Sequence, residues 1–183
     1  MPDPTIHPAA LPSDLSAADL LLRPAGDGAV ALDPARAGWR YLSFAAYPFP
    51  AGGLPIPAGP GQETGIVVGA GRDMAIAPAD GSSRGNLPGR EGVLDDLPSA
   101  LWLPDGRALR ITVGSPPVHG PAVVAIARAP RSGREGVAPE PIAIRPADVA
   151  IEMRGAGNAT RQISHVITPS FPADRLEVVE VLT

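Results

Sequence analysis

Short apolar runs separated by glycine and proline recur along almost the whole chain, and this pattern predicts a β protein. The clearest run is Leu109–Val113, in which apolar residues alternate with Arg110 and Thr112, as in a half-buried strand. Turn-forming pairs such as Asp105-Gly106 lie between the runs. Further strands are predicted at Trp39–Tyr47, Gly65–Val68, Arg72–Ala77, Ala100–Leu103, Ala122–Ala129, Ile142–Ile144, Ala150–Met153, Ile163–Thr168 and Leu176–Leu182.

The remaining segments predict one short helix and several loops. Ser13–Leu20 offers a serine N-cap followed by good helix formers. Pro48–Gly61 and Ala79–Glu91 are rich in turn-forming residues and are predicted loops, and Arg131–Pro141 is a break at which a domain edge is expected. Many short strands with frequent turns indicate a β-sandwich or barrel.

Composition supports this fold class and excludes several functions. The 183 residues include 24 prolines and 21 glycines, so long helices are disfavoured. The chain has no cysteine, which excludes disulfides and thiolate chemistry. All 15 cations are arginines, the net charge is −4, and no basic cluster suggests nucleic-acid binding. No apolar run approaches a membrane span and the first residues do not resemble a signal peptide, so we expect a cytoplasmic protein without membrane contact.

Four segments resemble the 5-deoxy-glucuronate isomerase family of inositol breakdown, which is related to 5-keto-4-deoxyuronate isomerases. They are Ala37–Phe44, Asp95–Pro104, Arg154–Ile163 and Asp174–Thr183, and the third is the most specific. This chain departs from the family pattern at the second segment, with Leu94 just before it in place of Phe and Asp96 within it in place of Gly. The resemblance extends from about Leu20 to Thr183.

The resemblance implies a bicupin architecture. We therefore expect an N-terminal tail over residues 1–19 and an all-β cupin-like barrel, a double-stranded β-helix or jelly roll, over residues 20–144. Residues 145–183 are expected to form a short β extension, made of the connector and the first strands of a second, truncated cupin. In the family a divalent metal is bound in the second cupin by a His-x-His pair, a Glu and a further His. The sequence ends before those residues, so we expect no metal and no cofactor in this chain.

The three histidines do not have the spacing of metal ligands. His7 lies in a proline-rich tail, His119 follows two prolines in a turn, and His165 lies on a predicted strand. We expect two surface histidines and one partly buried strand histidine.

The candidate substrate-binding residues are Arg154, Asn158 and Arg161. Either arginine offers a bidentate fork for a carboxylate, with Asn158 adding hydrogen bonds. The alternative is that the glycines of this segment form a shaped turn between two barrels.

Other residues have two interpretations each. Glu63 and Glu180 are expected to be exposed strand carboxylates, the alternative being that they face a barrel interior. The aromatic residues are expected in the core, the alternative being a sugar pocket, and Arg40 among them is expected to extend to solvent or to pair. These aromatic residues are Trp39, Tyr41, Phe44, Tyr47 and Trp102.

Three functional hypotheses follow. The chain is a component of an aldose–ketose isomerase of myo-inositol catabolism, inactive alone, with the metal half on a separate chain or in missing sequence. Alternatively, it is a non-catalytic cupin used for binding or oligomerisation, or a sugar-acid sensor that needs a pocket but no metal. The expected partners are accordingly a sugar-acid ligand and either a second copy or a separate metal-bearing cupin chain.

Overall fold

The computed structural model describes residues 21–49, 53–79, 85–138 and 140–183. The predicted helix Ser13–Leu20 and His7 lie outside these residues. The regular secondary structure of the described part is almost entirely antiparallel β-sheet, which confirms the predicted fold class. It contains β1 (Val30–Leu32), β2 (Ser43–Phe49), β3 (Leu54–Ile56), β4 (Gln62–Pro78), β5 (Gly85–Arg90), β6 (Ala100–Leu103), β7 (Leu109–Ser115), β8 (Ala122–Pro130), β9 (Ile142–Ile144), β10 (Ala150–Arg154), β11 (Arg161–Ile167) and β12 (Val178–Leu182), one helical turn α1 (Pro34–Ala37), and two 3₁₀ turns at Pro146–Asp148 and Gly157–Ala159.

The 17-residue strand β4 links the two halves of a nine-stranded sheet system. Its first half pairs with β6 and β8, and its second half pairs with β5 and β7. Gly65–Val68 and Arg72–Ala77 were predicted as two strands with a turn between them, and this separation is wrong. The intervening Gly-Ala-Gly segment forms a β-bulge between Val68 and Ala70, so the strand changes direction without ending.

Strand β5 corrects a second prediction, because Gly85–Arg90 was expected to be part of a polar loop. Gly89 has a φ of +67°, and a Cβ at this position would lie 2.0 Å from the carbonyl oxygen of Gly71. Glycine here therefore allows β5 to approach β4 closely, rather than marking a loop. The predicted loop Pro48–Gly61 similarly contains the short strand β3, which pairs with β7.

The interior of the barrel is filled by apolar side chains. The buried members come from strands β2 to β8, and each is 5% exposed or less. They are Phe49, Ile56, Ile66, Val68, Met74, Ile76, Leu87, Leu103, Leu109, Ile111, Ala122, Val124 and Ile126. Burial of this much aliphatic surface supplies the main driving force for closing the barrel.

Strands β10, β11 and β12 form a separate antiparallel sheet that packs on the outer face of the barrel. A second apolar cluster joins the two layers, and it includes Trp102 and Ile144 from the barrel with Val166, Ile167 and Leu176 from the C-terminal segment. The ring of Phe171 meets Trp102 edge-on, with 5.8 Å between the ring centroids. The predicted domain boundary at residue 144 stays a prediction.

The expectation of a buried aromatic core is wrong for three of five residues. Trp102 is fully buried and Tyr47 is half-buried, but Trp39, Tyr41 and Phe44 are exposed. The reason is that β2 begins only at Ser43, so that Trp39 and Tyr41 precede the sheet. Tyr41 is instead stacked by Arg40 and Arg175, whose guanidinium carbons lie 4.9 and 4.8 Å from its ring centre.

Candidate functional site

A polar row crosses the inward face of the barrel near one end. In the antiparallel register, Ser43 on β2 lies opposite Arg128 on β8, and Arg128 lies opposite Thr64 on β4. The neighbouring inward positions of β8 are Ile126 and Val124, which belong to the buried core. Because side chains alternate along a strand, Arg128 shares this inward face, at the level where the apolar filling stops.

These residues border a cleft of about 350 Å³, which we call the Arg128 cleft. Its walls contain both apolar and polar residues. The charged residues among them are two arginines and one aspartate. The lining residues are Ala31, Leu32, Asp33, Arg36, Ser43, Phe44, Ala45, Tyr47, Ile56, Pro57, Ile126 and Arg128.

The hydrogen-bond donors of Arg128 are only partly satisfied within the described part of the chain. One terminal nitrogen donates to the carbonyl oxygen of Pro57 at 2.5 Å. Its Nε–H is buried and has no acceptor among the described residues, and the same holds for the hydroxyl of its neighbour Thr64. Burial lowers the pKa of Arg128, and the nearby Tyr47 acts in the opposite direction. An arginine in such surroundings favours an anionic partner.

Asp33 does not neutralise this cleft completely. It precedes α1, and its Oδ1 accepts a hydrogen bond from the backbone N–H of Arg36 at 2.8 Å, as an N-cap does. Within the described residues, no carboxylate forms an ion pair with the side chain of Arg36 or Arg128. The cleft therefore offers cationic forks together with the hydroxyls of Tyr47 and Ser43.

The structure places Arg154, Asn158 and Arg161 at the exposed end of the β10–β11 hairpin. Arg154 and Arg161 lie opposite each other, and Arg154 donates to Glu152 at 2.5 Å. None of the three lines the Arg128 cleft. Gly155 has a φ of +90°, and a Cβ there would lie 2.1 Å from a backbone oxygen, so this segment is a shaped turn. The carboxylate-binding role stays a prediction.

Glu63 and Glu180 were expected to be exposed, and this is wrong. Glu63 is fully buried, and its carboxylate accepts hydrogen bonds from the Trp102 indole and from three consecutive backbone N–H groups at Asp174–Leu176. Glu180 forms an ion pair with Arg90, whose side chain is 1% exposed. Both carboxylates bind partners distant in sequence, which a strand pattern does not reveal.

The described residues do not fit a cupin metal site. His119 is exposed, as predicted, and His165 is half-buried on β11, where its Nε2 lies 3.1 Å from Glu152. In the described ranges, no three His, Cys, Asp or Glu side chains are close enough to hold a metal ion. The inward positions that ligands would need are occupied by the apolar core. We therefore assign no chemical step to a metal here.

Sequence reasoning missed Arg128, although a signal was present. Residues 122–127 are all apolar, and the structure shows that residues 122, 124 and 126 face inward. Arg128 is the one charged residue of the run Ala122–Ala129, and the strand alternation seen in the structure places it on the inward face. A partly buried charge on such a face favours a functional or structural partner.

No helix in the described part of the chain has the length and apolar character needed to cross a bilayer.

Comparison with protein families places nearly the whole chain in one group. The model of the KduI/IolB family matches residues 20–183. A 5-deoxy-glucuronate isomerase from Geobacillus thermodenitrificans is 55% identical over 40 residues, which are 22% of this chain and 15% of that protein. A 5-deoxy-glucuronate isomerase from Geobacillus kaustophilus is 50% identical over 40 residues, again 22% of this chain and 14% of that protein.

A solved structure shares the fold over most of the described residues. It is the crystal structure of an IolB-like protein from Salmonella typhimurium LT2, with a TM-score of 0.68 and 25% sequence identity. The alignment covers 82% of this chain and 54% of that protein, so the chain spans about half of its relative.

Proposed function

The chain belongs to the KduI/IolB family, and we propose that it takes part in the isomerisation of 5-deoxy-glucuronate, an aldose–ketose conversion in the breakdown of myo-inositol. In this proposal its barrel is a scaffold without the catalytic metal, and the metal is held by residues outside the described part. A cytoplasmic location is part of the proposal.

The observation that carries the proposal is the family match over residues 20–183. The isomerases from the two Geobacillus species add local support, since half or more of the 40 aligned residues are identical. The segment Arg154–Ile163, whose resemblance to the family is the most specific, spans the end of β10, the turn at Gly157–Ala159 and the start of β11.

The scaffold role is supported by the internal hydrogen bonds and the ion pair that two candidate catalytic carboxylates, those of Glu63 and Glu180, already form. An isomerisation through an enediol needs a base near the substrate carbon and a group that stabilises the developing oxyanion. The carboxylates of Glu63 and Glu180 are bound within the protein, and His119 lies exposed on a turn. The two glutamates join the barrel to the C-terminal segment, and neither forms a pair with His119.

Two experiments test the proposal. Purified chain should not convert 5-deoxy-glucuronate, with or without added Mn²⁺, Zn²⁺ or Fe²⁺, in an assay where the Geobacillus thermodenitrificans isomerase serves as the positive control. Turnover by this chain would refute the scaffold role. Deletion of the gene should abolish growth of the source organism on myo-inositol but not on glucose, and unchanged growth on inositol would refute the pathway assignment.

A sugar-acid sensor is the second candidate function, and the Arg128 cleft is the observation that favours it. A sensor needs a pocket for the sugar acid but neither a base nor a metal. The deletion strain distinguishes the two candidates when the remaining pathway genes are expressed from a constitutive promoter. If the chain is a sensor, extracts of this strain keep isomerase activity. If the chain is a component of the isomerase, they lose it.

A further inference from the structure

We propose that one exposed surface of this protein binds an acidic segment of a partner protein, in which apolar side chains lie beside the carboxylates. The surface, which we call the Tyr41 surface, consists of Trp39, Arg40, Tyr41, Leu42 and Arg175. None of these residues lines the Arg128 cleft, so the inference goes beyond the proposed function.

The first argument is the contiguous apolar part of the surface. Trp39 is 41% exposed, Tyr41 is 42% exposed and Leu42 is 37% exposed. All three lie in the segment between α1 and β2, which is outside the sheets, so the barrel core does not cover them. Isolated apolar residues are common on protein surfaces, whereas a run of them indicates an interaction site. Trp, Tyr and Arg are also the residue types enriched at the centres of protein–protein interfaces.

The second argument is the way in which Tyr41 holds the two arginines. The guanidinium carbon of Arg40 lies 4.9 Å from the centre of the Tyr41 ring, and that of Arg175 lies 4.8 Å from it. Arg40 and Arg175 are nevertheless exposed residues. Stacking restricts both side chains before a partner binds, so that less conformational entropy is lost on binding. Each guanidinium can still offer a pair of N–H donors to a carboxylate.

The third argument is the charge that the surface leaves uncompensated. Among the residues that the structure describes, no carboxylate forms an ion pair with Arg40 or Arg175. The carboxylate of Asp174 attracts Arg175 without forming an ion pair with it. That carboxylate instead accepts hydrogen bonds from Ser132 and Gly133. The two guanidiniums therefore favour a negatively charged partner.

The number of cations and their position decide which class of partner fits. Tight binding of a nucleic-acid backbone needs several phosphate contacts, whereas this surface offers two arginines. A second copy that met this surface across a two-fold axis would bring the same residues together, so Arg40 and Arg175 would face like charges. An acidic segment of another protein avoids this repulsion, and its apolar side chains can cover Trp39 and Leu42.

The test uses tryptophan fluorescence, because Trp39 is exposed and the other tryptophan, Trp102, is fully buried. The full chain is titrated with the peptide acetyl-Glu-Leu-Glu-Leu-Glu-amide and, separately, with its neutral analogue acetyl-Gln-Leu-Gln-Leu-Gln-amide. We expect the acidic peptide to change the emission saturably with a Kd of about 1 mM or lower, and the neutral peptide to bind at least about tenfold more weakly. Absence of a saturable change with the acidic peptide, or equal binding of the two peptides, would overturn the proposal.

Substitutions locate the binding surface. The double variant Arg40→Gln/Arg175→Gln should weaken binding of the acidic peptide at least about tenfold. Arg145→Gln is the matched control, since Arg145 is also exposed but lies outside the Tyr41 surface, and it should leave the affinity unchanged. If the control weakens binding as much as the double variant does, general attraction to positive charge explains the binding and the proposal is wrong.

A measurement on the unmodified chain keeps the proposal testable if the double variant does not fold. Raising NaCl from about 0.1 M to about 1 M shortens the screening length from about 10 Å to about 3 Å. Binding of the acidic peptide should then weaken at least about threefold, because both arginines are exposed. Binding that is independent of salt would contradict a contact with Arg40 and Arg175.

Sedimentation velocity distinguishes a partner protein from a second copy. The variant Arg40→Glu/Arg175→Glu should sediment as the unmodified chain does, because the proposal does not use this surface between copies. A dimer of the unmodified chain that dissociates in this variant would assign the surface to a second copy and refute the proposal.

Discussion

The carboxylate of Glu63 accepts a hydrogen bond from the indole Nε1 of Trp102 at 3.0 Å, and both side chains are fully buried on the outer face of the barrel. The same carboxylate accepts the backbone N–H of Leu176 at 2.7 Å, 113 residues further along the chain. Glu63 therefore joins the barrel to the segment that leads into the C-terminal sheet. The ion pair between Arg90 and Glu180 is a second contact between the same two layers. The contacts of Glu63 and this ion pair are called the first and the second joint below.

Replacing Glu63 tests the first joint. Glu63→Gln puts an amide N–H₂ among N–H donors, so at least one buried donor loses its acceptor. We expect the free energy of unfolding to fall by about 3 kcal/mol, measured by urea denaturation. The exposed neighbour Glu177→Gln is the control and should change it by no more than about 0.5 kcal/mol. Equal effects of the two substitutions would show that Glu63 does not hold the layers together.

The second joint is tested by a double-mutant cycle. Glu180→Gln leaves the buried guanidinium of Arg90 without its counter-charge, and we expect a loss of about 2–4 kcal/mol, at the lower end because Glu180 is partly exposed. The double variant Arg90→Met/Glu180→Gln should be less destabilised than the sum of the losses in Arg90→Met and Glu180→Gln. Additive losses would contradict direct coupling. The exposed pair Arg72–Asp96 is the control, and Asp96→Asn should cost less than about 1 kcal/mol.

Gly89 is expected to be intolerant of any side chain. In Gly89→Ala the new Cβ would meet the Gly71 carbonyl oxygen at 2.0 Å, and φ at this position is +67°. We expect a loss of more than about 2 kcal/mol, seen as a lower melting temperature or as insoluble protein. Gly85→Ala in the same strand is the control, since no atom lies within 4 Å of its Cβ, and should cost less than about 1 kcal/mol. A stable Gly89→Ala protein would show that β5 does not pair with β4 as described.

Asp174 should contribute to loss of stability in acid. Burial raises the pKa of Asp174, but hydrogen bonds from the Ser132 hydroxyl and from the backbone N–H groups of Ser132 and Gly133 outweigh this effect, so its pKa lies below the ordinary value. A carboxyl with a lowered folded-state pKa stabilises the protein above its unfolded-state pKa of about 4, and this contribution is lost as pH falls through the folded-state pKa. Asp174→Asn should therefore be less stable than the parent at pH 7, with a smaller difference below pH 4.

The matched control for this pH profile is Asp105→Asn. The pKa of Asp105 is also lowered, by its hydrogen bond to Arg107, but both side chains are more than a third exposed. Its contribution should be small and should weaken further in added salt. If Asp174→Asn and Asp105→Asn change the free energy of unfolding by equal amounts at pH 7 and by equal amounts at pH 3, buried hydrogen bonding of Asp174 is not the cause of the pH dependence.

The sequence pattern predicted those elements whose causes are local. Ala100–Leu103 and Ile142–Ile144 form strands at the predicted residues, and Leu109–Val113 lies within the observed strand β7. The roles of Glu63 and Arg90 were not predictable, because each depends on partners on other strands or on the C-terminal sheet. Trp39 was wrongly predicted to be buried. An aromatic residue in an apolar run is buried by the sheet only if the strand includes it, and β2 begins at Ser43.

The sequence suggested arginine side chains as candidate carboxylate ligands, but it did not indicate where a cleft forms. Carboxylate binding by arginine was expected at Arg154 or Arg161, which the structure places at the exposed end of a hairpin, whereas the arginine that is partly buried in a cleft is Arg128. The difference arises because the cleft is assembled from the segment that contains β1, α1, β2 and β3 together with β8, which is distant from it in sequence.

The central proposal is that this chain supplies an apolar barrel that serves as a scaffold, but not the catalytic metal. The most direct test is elemental analysis of the purified chain after incubation with Zn²⁺, Mn²⁺ and Fe²⁺ and removal of unbound ions by gel filtration. We predict that each metal remains far below one equivalent per chain. One tightly held equivalent of any of these ions per chain would contradict the account.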